Sequence, residues 1–260
     1  MTLAAPQAGT APQPGSAPQA GSAPQAGTAP QPGPAPESFG RGGGFPYARA
    51  LRRGRGTLHL VAEGLGRTEV YARLDVGAWF RVTAGERALV AGLRGPVLDV
   101  GCGPGRLVAA ARSLGLDAVG IDVDPEAVRL ARKSGGEAIH GSVFDAAAAL
   151  DATGRRGPGW GGALVVDGNI GIGGDPVSLL ARIWELTAPD ALAWVETAAK
   201  PWINHRFTAR VLDARGRESG AFPWAAVGWQ VLPALADACG WDTLATRSLE
   251  GRVFCQLRRR

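Results

Sequence analysis

One stretch, Val97-Leu98-Asp99-Val100-Gly101-Cys102-Gly103-Pro104-Gly105-Arg106-Leu107, constrains this chain more than any other. An aliphatic run ends in an acid, glycines follow at 101, 103 and 105, and then Leu107, Val108, Ala111 and Leu114 recur at steps of three and four. Those steps mark one face of a helix, so the stretch reads as strand, tight turn, helix. Glycine takes positive φ at little cost and puts no Cβ between backbone and ligand. The turn is therefore predicted to be a binding surface at a helix N-terminus.

Spacing narrows the ligand. The dinucleotide fingerprint needs its third glycine at position 106, which is Arg106 here, so a pyrophosphate cradle and a nicotinamide-dependent dehydrogenase are disfavoured. A second strand-like run, Ala118 to Asp122, also ends in an acid, 122 − 101 = 21 positions beyond the first glycine. A carboxylate so placed offers several acceptor sites to ribose hydroxyls. Asp124 and Pro125 then read as N-cap and first residue of a helix over Glu126 to Lys133.

Loop, acid and spacing together resemble motif I and the following strand of the class I S-adenosylmethionine-dependent methyltransferases. The resemblance implies an α/β fold, a doubly wound Rossmann-like sheet of seven mostly parallel strands with the last antiparallel, over roughly Gly95 to Leu257. It implies S-adenosyl-L-methionine as cofactor, with Asp99 and the backbone of Gly101, Cys102, Gly103 and Gly105 at the methionine end, and Asp122 with Val123 at the ribose. Phe144 and Asp145 would hold the adenine. Family members often carry an acid directly after the glycine, where this chain has Ser142, so Asp145 becomes the expected acid. Cys102 is open to two readings, a small residue filling a tight turn, which is the commoner case, or a reactive thiol.

Glu137 to Gly141 reads as a third strand, Ala163 to Asp167 as a fourth and Ala191 to Thr197 as a fifth, with Phe207 to Leu212 and Arg252 to Leu257 as sixth and seventh, separated by a helix over Val227 to Cys239. Phe222-Pro223-Trp224 suggests a rigid apolar corner. The run Asp167-Gly168-Asn169-Ile170-Gly171-Ile172-Gly173-Gly174-Asp175-Pro176 falls where the family places motif IV, so Asp167 and Asn169 would face the transferable methyl group. Asp175 and Pro176 open a helix whose Leu179, Leu180, Ile183, Trp184 and Leu186 mark a buried face.

The same run lacks the Pro-Pro-Tyr and Pro-Cys pairs of base methylation and is similar to that of a group of actinobacterial methyltransferase-domain proteins of unassigned substrate. A small-molecule acceptor is expected. His205, in what reads as a polar-aromatic connection, is a candidate general base because imidazole titrates near neutrality. In-line displacement at a sulfonium asks for alignment and proximity more than covalent help, so a sparse catalytic set suits it. The alternative is a protein that binds the cofactor, or a partner, without catalysis.

Before motif I, residues 41–94 read as a cap: strands Thr57 to Val61 and Thr68 to Leu74 around Glu63-Gly64-Leu65-Gly66, then a capping box at Thr83 and Glu86. Tyr47, Tyr71, Trp79 and Phe80 could line a substrate pocket or belong to the core. Residues 1–40 carry a period-six repeat, Ala5 to Thr10 and onward, rich in Pro, Gln and Gly with no large apolar residue after Leu3 until Phe39. That composition predicts disorder, and its start has neither the basic nor the apolar character of a leader peptide.

The formal net charge of +5 invites a nucleic-acid partner, but Arg49, Arg52, Arg53 and Arg55 cluster before the main domain and Arg258 to Arg260 end the chain. Only Lys133 and Lys200 are lysines, so the arginine bias looks compositional and nucleic acid is not expected. Cys102, Cys239 and Cys255 form no C-x-x-C pair, which argues against zinc and a disulfide framework. No apolar run approaches the roughly 18 residues of a membrane span, and a cytoplasmic protein is expected.

Overall fold

The computed structural model describes residues 39–40, 45–64, 67–145, 150, 153 and 159–260. The repeat of residues 1–38, and most of the turn-rich stretch from Arg155, lie outside them. No described helix is long and apolar enough to cross a membrane.

Strands alternating with helices build one sheet of seven, in the order β10-β11-β7-β6-β3-β4-β5. Its centre is β3 (Val97–Val100), with β4 (Ala118–Asp122) and β5 (Glu137–His140) on one side. On the other lie β6 (Trp160–Val165), β7 (Thr187–Thr197), and the terminal hairpin β10 (Trp241–Leu249) and β11 (Arg252–Arg259). From β7 to β5 the pairs are parallel, while β11 runs antiparallel to β7. The expected doubly wound architecture with one reversed strand is present.

Both faces of this sheet are covered, as parallel strands require. Leu98, Val100, Val119 and Ile121 point to a cluster under α5 (Pro176–Leu186) and α6 (Leu232–Ala238), with Trp160 and Trp241 fully enclosed. Val97, Ala118 and Leu164 point to the opposite cluster, under α2 (Ala84–Ala91), α3 (Arg106–Ser113) and α4 (Pro125–Lys133). The helix starts follow the capping chemistry in the sequence. Thr83 and Glu86 close a reciprocal capping box, Asp124 accepts from the amides of Glu126 and Ala127, and Asp175 accepts from those of Val177 and Ser178.

A second sheet, β2-β1-β8-β9, is antiparallel throughout. Its hairpin β1 (Thr57–Gly64) and β2 (Arg67–Asp75) comes from the segment before motif I, and β8 (Asn204–Asp213) and β9 (Phe222–Val227) come from the region after β7. Leu58, Leu60, Ala209, Val211, Phe222 and Trp224 bury one face against α1 (Pro46–Arg53).

This sheet corrects three expectations. Phe207 to Leu212 is not the sixth strand of the main sheet; that place belongs to β10, because the apolar period of β8 matches the second sheet equally well. Phe222-Pro223-Trp224 is strand rather than corner, since Pro223 lies on an edge strand that needs no amide from it. The helix expected from Val227 begins only at Leu232.

Candidate functional site

The carboxyl ends of β3, β4 and β6 carry the chemistry. Gly101, Gly103 and Gly105 have φ of +70°, +53° and +83°, so the left-handed turn expected from the glycines is made. Their reasons differ. A Cβ on Gly101 would lie 2.6 Å from Asn169 Nδ2, and one on Gly105 2.7 Å from Ala131 Cβ, so these two glycines let protein pack on protein. A Cβ on Gly103 would meet only the Tyr47 hydroxyl, at 3.6 Å. Gly103 is thus buried too, but under a single hydroxyl rather than against packed side chain or backbone. Cys102 points away from the cleft: its Sγ fills the space beside Gly120, and burial pushes its thiol well up, so it packs rather than reacts.

Asp122 lies against the same turn. The Gly103 and Asp124 amides donate to its carboxylate at 2.8 Å each, one to each oxygen. The carboxylate keeps acceptor capacity to spare, since each oxygen offers two lone pairs. Burial pushes its pKa up to about 6 against the lowering effect of those amides.

Asp99, next to last in β3, lies on the α2–α3 side, 3% exposed, with no hydrogen-bond partner for its carboxyl among the described residues. Burial pushes its pKa up to about 7, Arg106 opposes this, and Asp167, Asp122 and Glu86 add to it. A buried acid with no partner is costly unless a cationic or donor group comes to it.

Tyr47, on α1, closes the other side. Its ring packs edge-on to Phe39 at 5.1 Å and to Trp79 at 5.6 Å, and Phe39 in turn contacts Phe222 and Trp224. Burial, with Asp122 and Asp124 next, holds its hydroxyl well above the usual phenol range, so it remains a neutral donor beside Gly103 and the carboxylates. Tyr47 belongs both to the core and to the cleft wall, which its aromatic type alone could not tell apart.

At the far end, Phe144 packs over Gly173, where a Cβ would come within 2.8 Å of its ring, and its amide donates to Ser142 Oγ at 3.2 Å. Val123 contributes its carbonyl oxygen, 3.1 Å from His140 Nε2. The Asp145 side chain is exposed and its amide donates to the Ser142 carbonyl.

Motif IV differs most from expectation. Asp167 lies two residues past the end of β6 with φ +62°, and its carboxylate takes Arg106 Nη1 at 2.6 Å and Nη2 at 3.1 Å. Arg252 Nη2 adds a third contact at 2.9 Å. The Asn169 amide donates to the carbonyls of Val100 at 2.8 Å and Gly101 at 2.9 Å. Both side chains tie motif IV to motif I, so their polar groups are engaged by protein. His205 sits on β8 rather than in a loop, exposed, with its ring 5.1 Å from that of Phe207. The structure thus brings Asp99, Gly103, Asp122 and Tyr47 together and leaves His205 on the second sheet.

Residues 97–153 match the family described as a methyltransferase domain. The match is to that stretch of the chain. It begins at β3 and takes in the glycine turn, Asp122 and Phe144. In structure the chain is similar to an S-adenosylmethionine-dependent methyltransferase from Bacteroides fragilis in complex with S-adenosyl-L-homocysteine, with 19% identity, a TM-score of 0.63, and 82% of this chain and 93% of that one covered. It is also similar to a methyltransferase from Methanosarcina mazei (17% identity, TM-score 0.50, 63% and 91% covered) and to the CcbJ methyltransferase from Streptomyces caelestis (17%, 0.50, 67% and 94%). At these identities the likeness is one of fold. No curated protein matches the sequence.

S-adenosylmethionine is the cofactor the sequence resemblance implies, and the residues here would fit it. The Gly103 backbone is buried with only the Tyr47 hydroxyl against its Cβ position, Asp122 keeps acceptors for hydroxyls, and the unpartnered Asp99 carboxyl suits a cationic end. A hollow of about 430 Å³ bounded by Arg112, Arg132 and Glu137 lies at the opposite, amino-terminal edge of the strands and has no part in this. Among the described residues no group of three or more His, Cys, Asp or Glu is placed to hold a metal ion.

Proposed function

We propose that the chain transfers a methyl group from S-adenosylmethionine to a small-molecule acceptor in the cytoplasm. The observation that carries this is the Gly103–Asp122 pair: a turn amide and a ribose-height carboxylate locked together at 2.8 Å beneath the Tyr47 hydroxyl. Bound there, the cofactor supplies an electrophilic methyl on a sulfonium. Asp99 balances the cationic end, Asp122 accepts from the sugar hydroxyls beside Val123, Phe144 flanks the base with Asp145 at its amino edge, and the backbone of Gly101 to Gly105 supports the methionine part.

The chain's work on the reaction is alignment. Asn169 fixes the motif IV turn on Gly101, and Ile172 lies over the same glycine, 3.1 Å from its Cβ position, so the acceptor side is walled by apolar groups that exclude water. Asp167, held by two guanidiniums, sets that turn rather than moving a proton. His205, exposed on β8 and not among the residues gathered at the turn, is given no proton-removal role.

Two measurements test the reading. Calorimetric titration with S-adenosylhomocysteine should show one site per chain, and labelled S-adenosylmethionine incubated with pooled small amines, phenols and carboxylic acids should yield S-adenosylhomocysteine and a labelled product. Binding with no turnover on any acceptor would favour a non-catalytic binder, and no binding would sink the reading.

A further inference from the structure

Five charged side chains from five parts of the chain meet beside the glycine turn. Glu86 comes from α2, Arg106 from the first position of α3, Asp167 from two residues past β6, Glu196 from β7 and Arg252 from β11. Arg106 Nη2 reaches Glu86 Oε1 at 2.5 Å while both its terminal nitrogens hold Asp167. Arg252 spans the rest: Nη1 to Glu86 at 2.6 Å, Nη2 to Asp167 at 2.9 Å, and Nε with Nη2 to the two oxygens of Glu196 at 2.8 and 2.6 Å. The Glu196 carboxylate also accepts the backbone amide of Asp167. Three carboxylates thus surround two guanidiniums, and one negative charge is left over.

The geometry points to Arg252 as a positioning residue for motif IV, acting through Asp167 and Glu196. Asp167 is one of four non-glycine residues with positive φ among the described residues, a conformation that Asp adopts more readily than most and that its surroundings here hold in place. What fixes it is visible: Glu196 grips the amide, and Arg252 grips both carboxylates at once. Directly after Asp167 come Gly168 at φ +78° and Asn169, whose side chain lies on Gly101. Arg252 therefore reaches the cofactor turn through two intermediates, from a hairpin about 150 residues away in sequence, and only a planar fork can serve three carboxylates together. Without it, Arg106 alone faces three carboxylates, whose mutual repulsion drives Asp167 out of its turn.

This inference rests on the cofactor reading above only for its binding readout. The test compares the full chain with Arg252→Met, Arg252→Lys and the double variant Arg252→Met/Glu196→Gln, in which the side-chain carbonyl introduced at position 196 keeps an acceptor for the Asp167 amide. Hydrogen–deuterium exchange of residues 167–175 is followed without ligand, and S-adenosylhomocysteine affinity by calorimetry. Arg252→Met should exchange about tenfold faster across 167–175, with α5 unchanged, and bind about tenfold more weakly. The double variant should recover to within about threefold, since the carboxylate left without a partner is gone. Arg252→Lys should fall between, because one ammonium cannot span three acids. If Arg252→Met does not fold, Arg252→Lys carries the test, with exchange raised about two- to fivefold. Wild-type exchange in either single variant, or a double variant no better than Arg252→Met, overturns the inference. A wild-type protein that fails to bind S-adenosylhomocysteine removes the cofactor reading and leaves the exchange result to decide this one.

Discussion

The amide of Gly103 donates to the Asp122 carboxylate across 19 residues at 2.8 Å, so the turn after one strand is held by the acid that ends its neighbour. Gly103 is pinned from below by this bond and faced from above by the Tyr47 hydroxyl. The glycine turn and the acid at the end of β4 are one mechanical unit.

Asp122→Ala should therefore lose on two counts. The Gly103 and Asp124 amides become buried donors without a partner, at about 1–3 kcal/mol each, which urea unfolding will show. S-adenosylhomocysteine affinity should fall by a further 1–3 kcal/mol, about ten- to a hundredfold, by titration calorimetry. Unchanged affinity would remove Asp122 from the ribose site.

Asp99 predicts a pH signature. Its folded pKa of about 7 lies above the ordinary 3.8, so the folded state holds a proton that the unfolded chain has released. The stability it confers is present below the unfolded value and is lost as pH rises toward 7, by an upper limit on the order of 4 kcal/mol; Asp122, at about 6, adds in the same direction. Asp99→Asn should flatten unfolding free energy between about pH 4 and 7 and be more stable than wild type at pH 8. A curve as steep as wild type would show that Asp99 is ionised throughout.

Tyr47→Phe isolates the hydroxyl. The ring contacts to Phe39 and Trp79 persist, so stability should change by less than about 0.5 kcal/mol, while cofactor affinity falls by about 0.5–1.5 kcal/mol if the hydroxyl donates to it. Equal affinity in the two proteins, by calorimetry, would assign Tyr47 to packing alone.

Gly105→Ala tests the packing glycine. The added methyl meets Ala131 at 2.7 Å in a backbone at φ +83°, so strain and overpacking together should cost about 2–4 kcal/mol in chemical unfolding. Gly103→Ala, with nothing nearer than 3.6 Å, bears only the φ penalty of about 1–2 kcal/mol; equal losses would contradict the distinction.

What could be read from sequence was what local chemistry determines. Asp124-Pro125, Asp175-Pro176 and Thr83 with Glu86 each announce a helix start through hydrogen bonds spanning three residues, and all three are present. The alternating glycines announced a turn, but only the fold shows that Asn169 occupies the space over Gly101 and Ala131 that over Gly105. Phe207 to Leu212 could not be assigned to the right sheet, because an alternating strand carries no mark of which neighbour its free edges choose. Arg252 was invisible for the same reason: its partners Glu86, Asp167 and Glu196 lie 166, 85 and 56 residues away. The signal that could have found it is a bare arginine opening a strand otherwise apolar at Val253, Phe254 and Cys255.

The smaller sheet is stitched from two separated lengths of chain, residues 57–75 and 204–227, with β1 bonded directly to β8. A cut at the start of β3 would not free a self-sufficient catalytic half; it would strip β8 of its neighbour and leave a row of peptide groups open to whatever strand comes by. Anyone exchanging the smaller sheet with that of a structural cousin must move both lengths as a matched pair, or inherit a protein that sticks to itself.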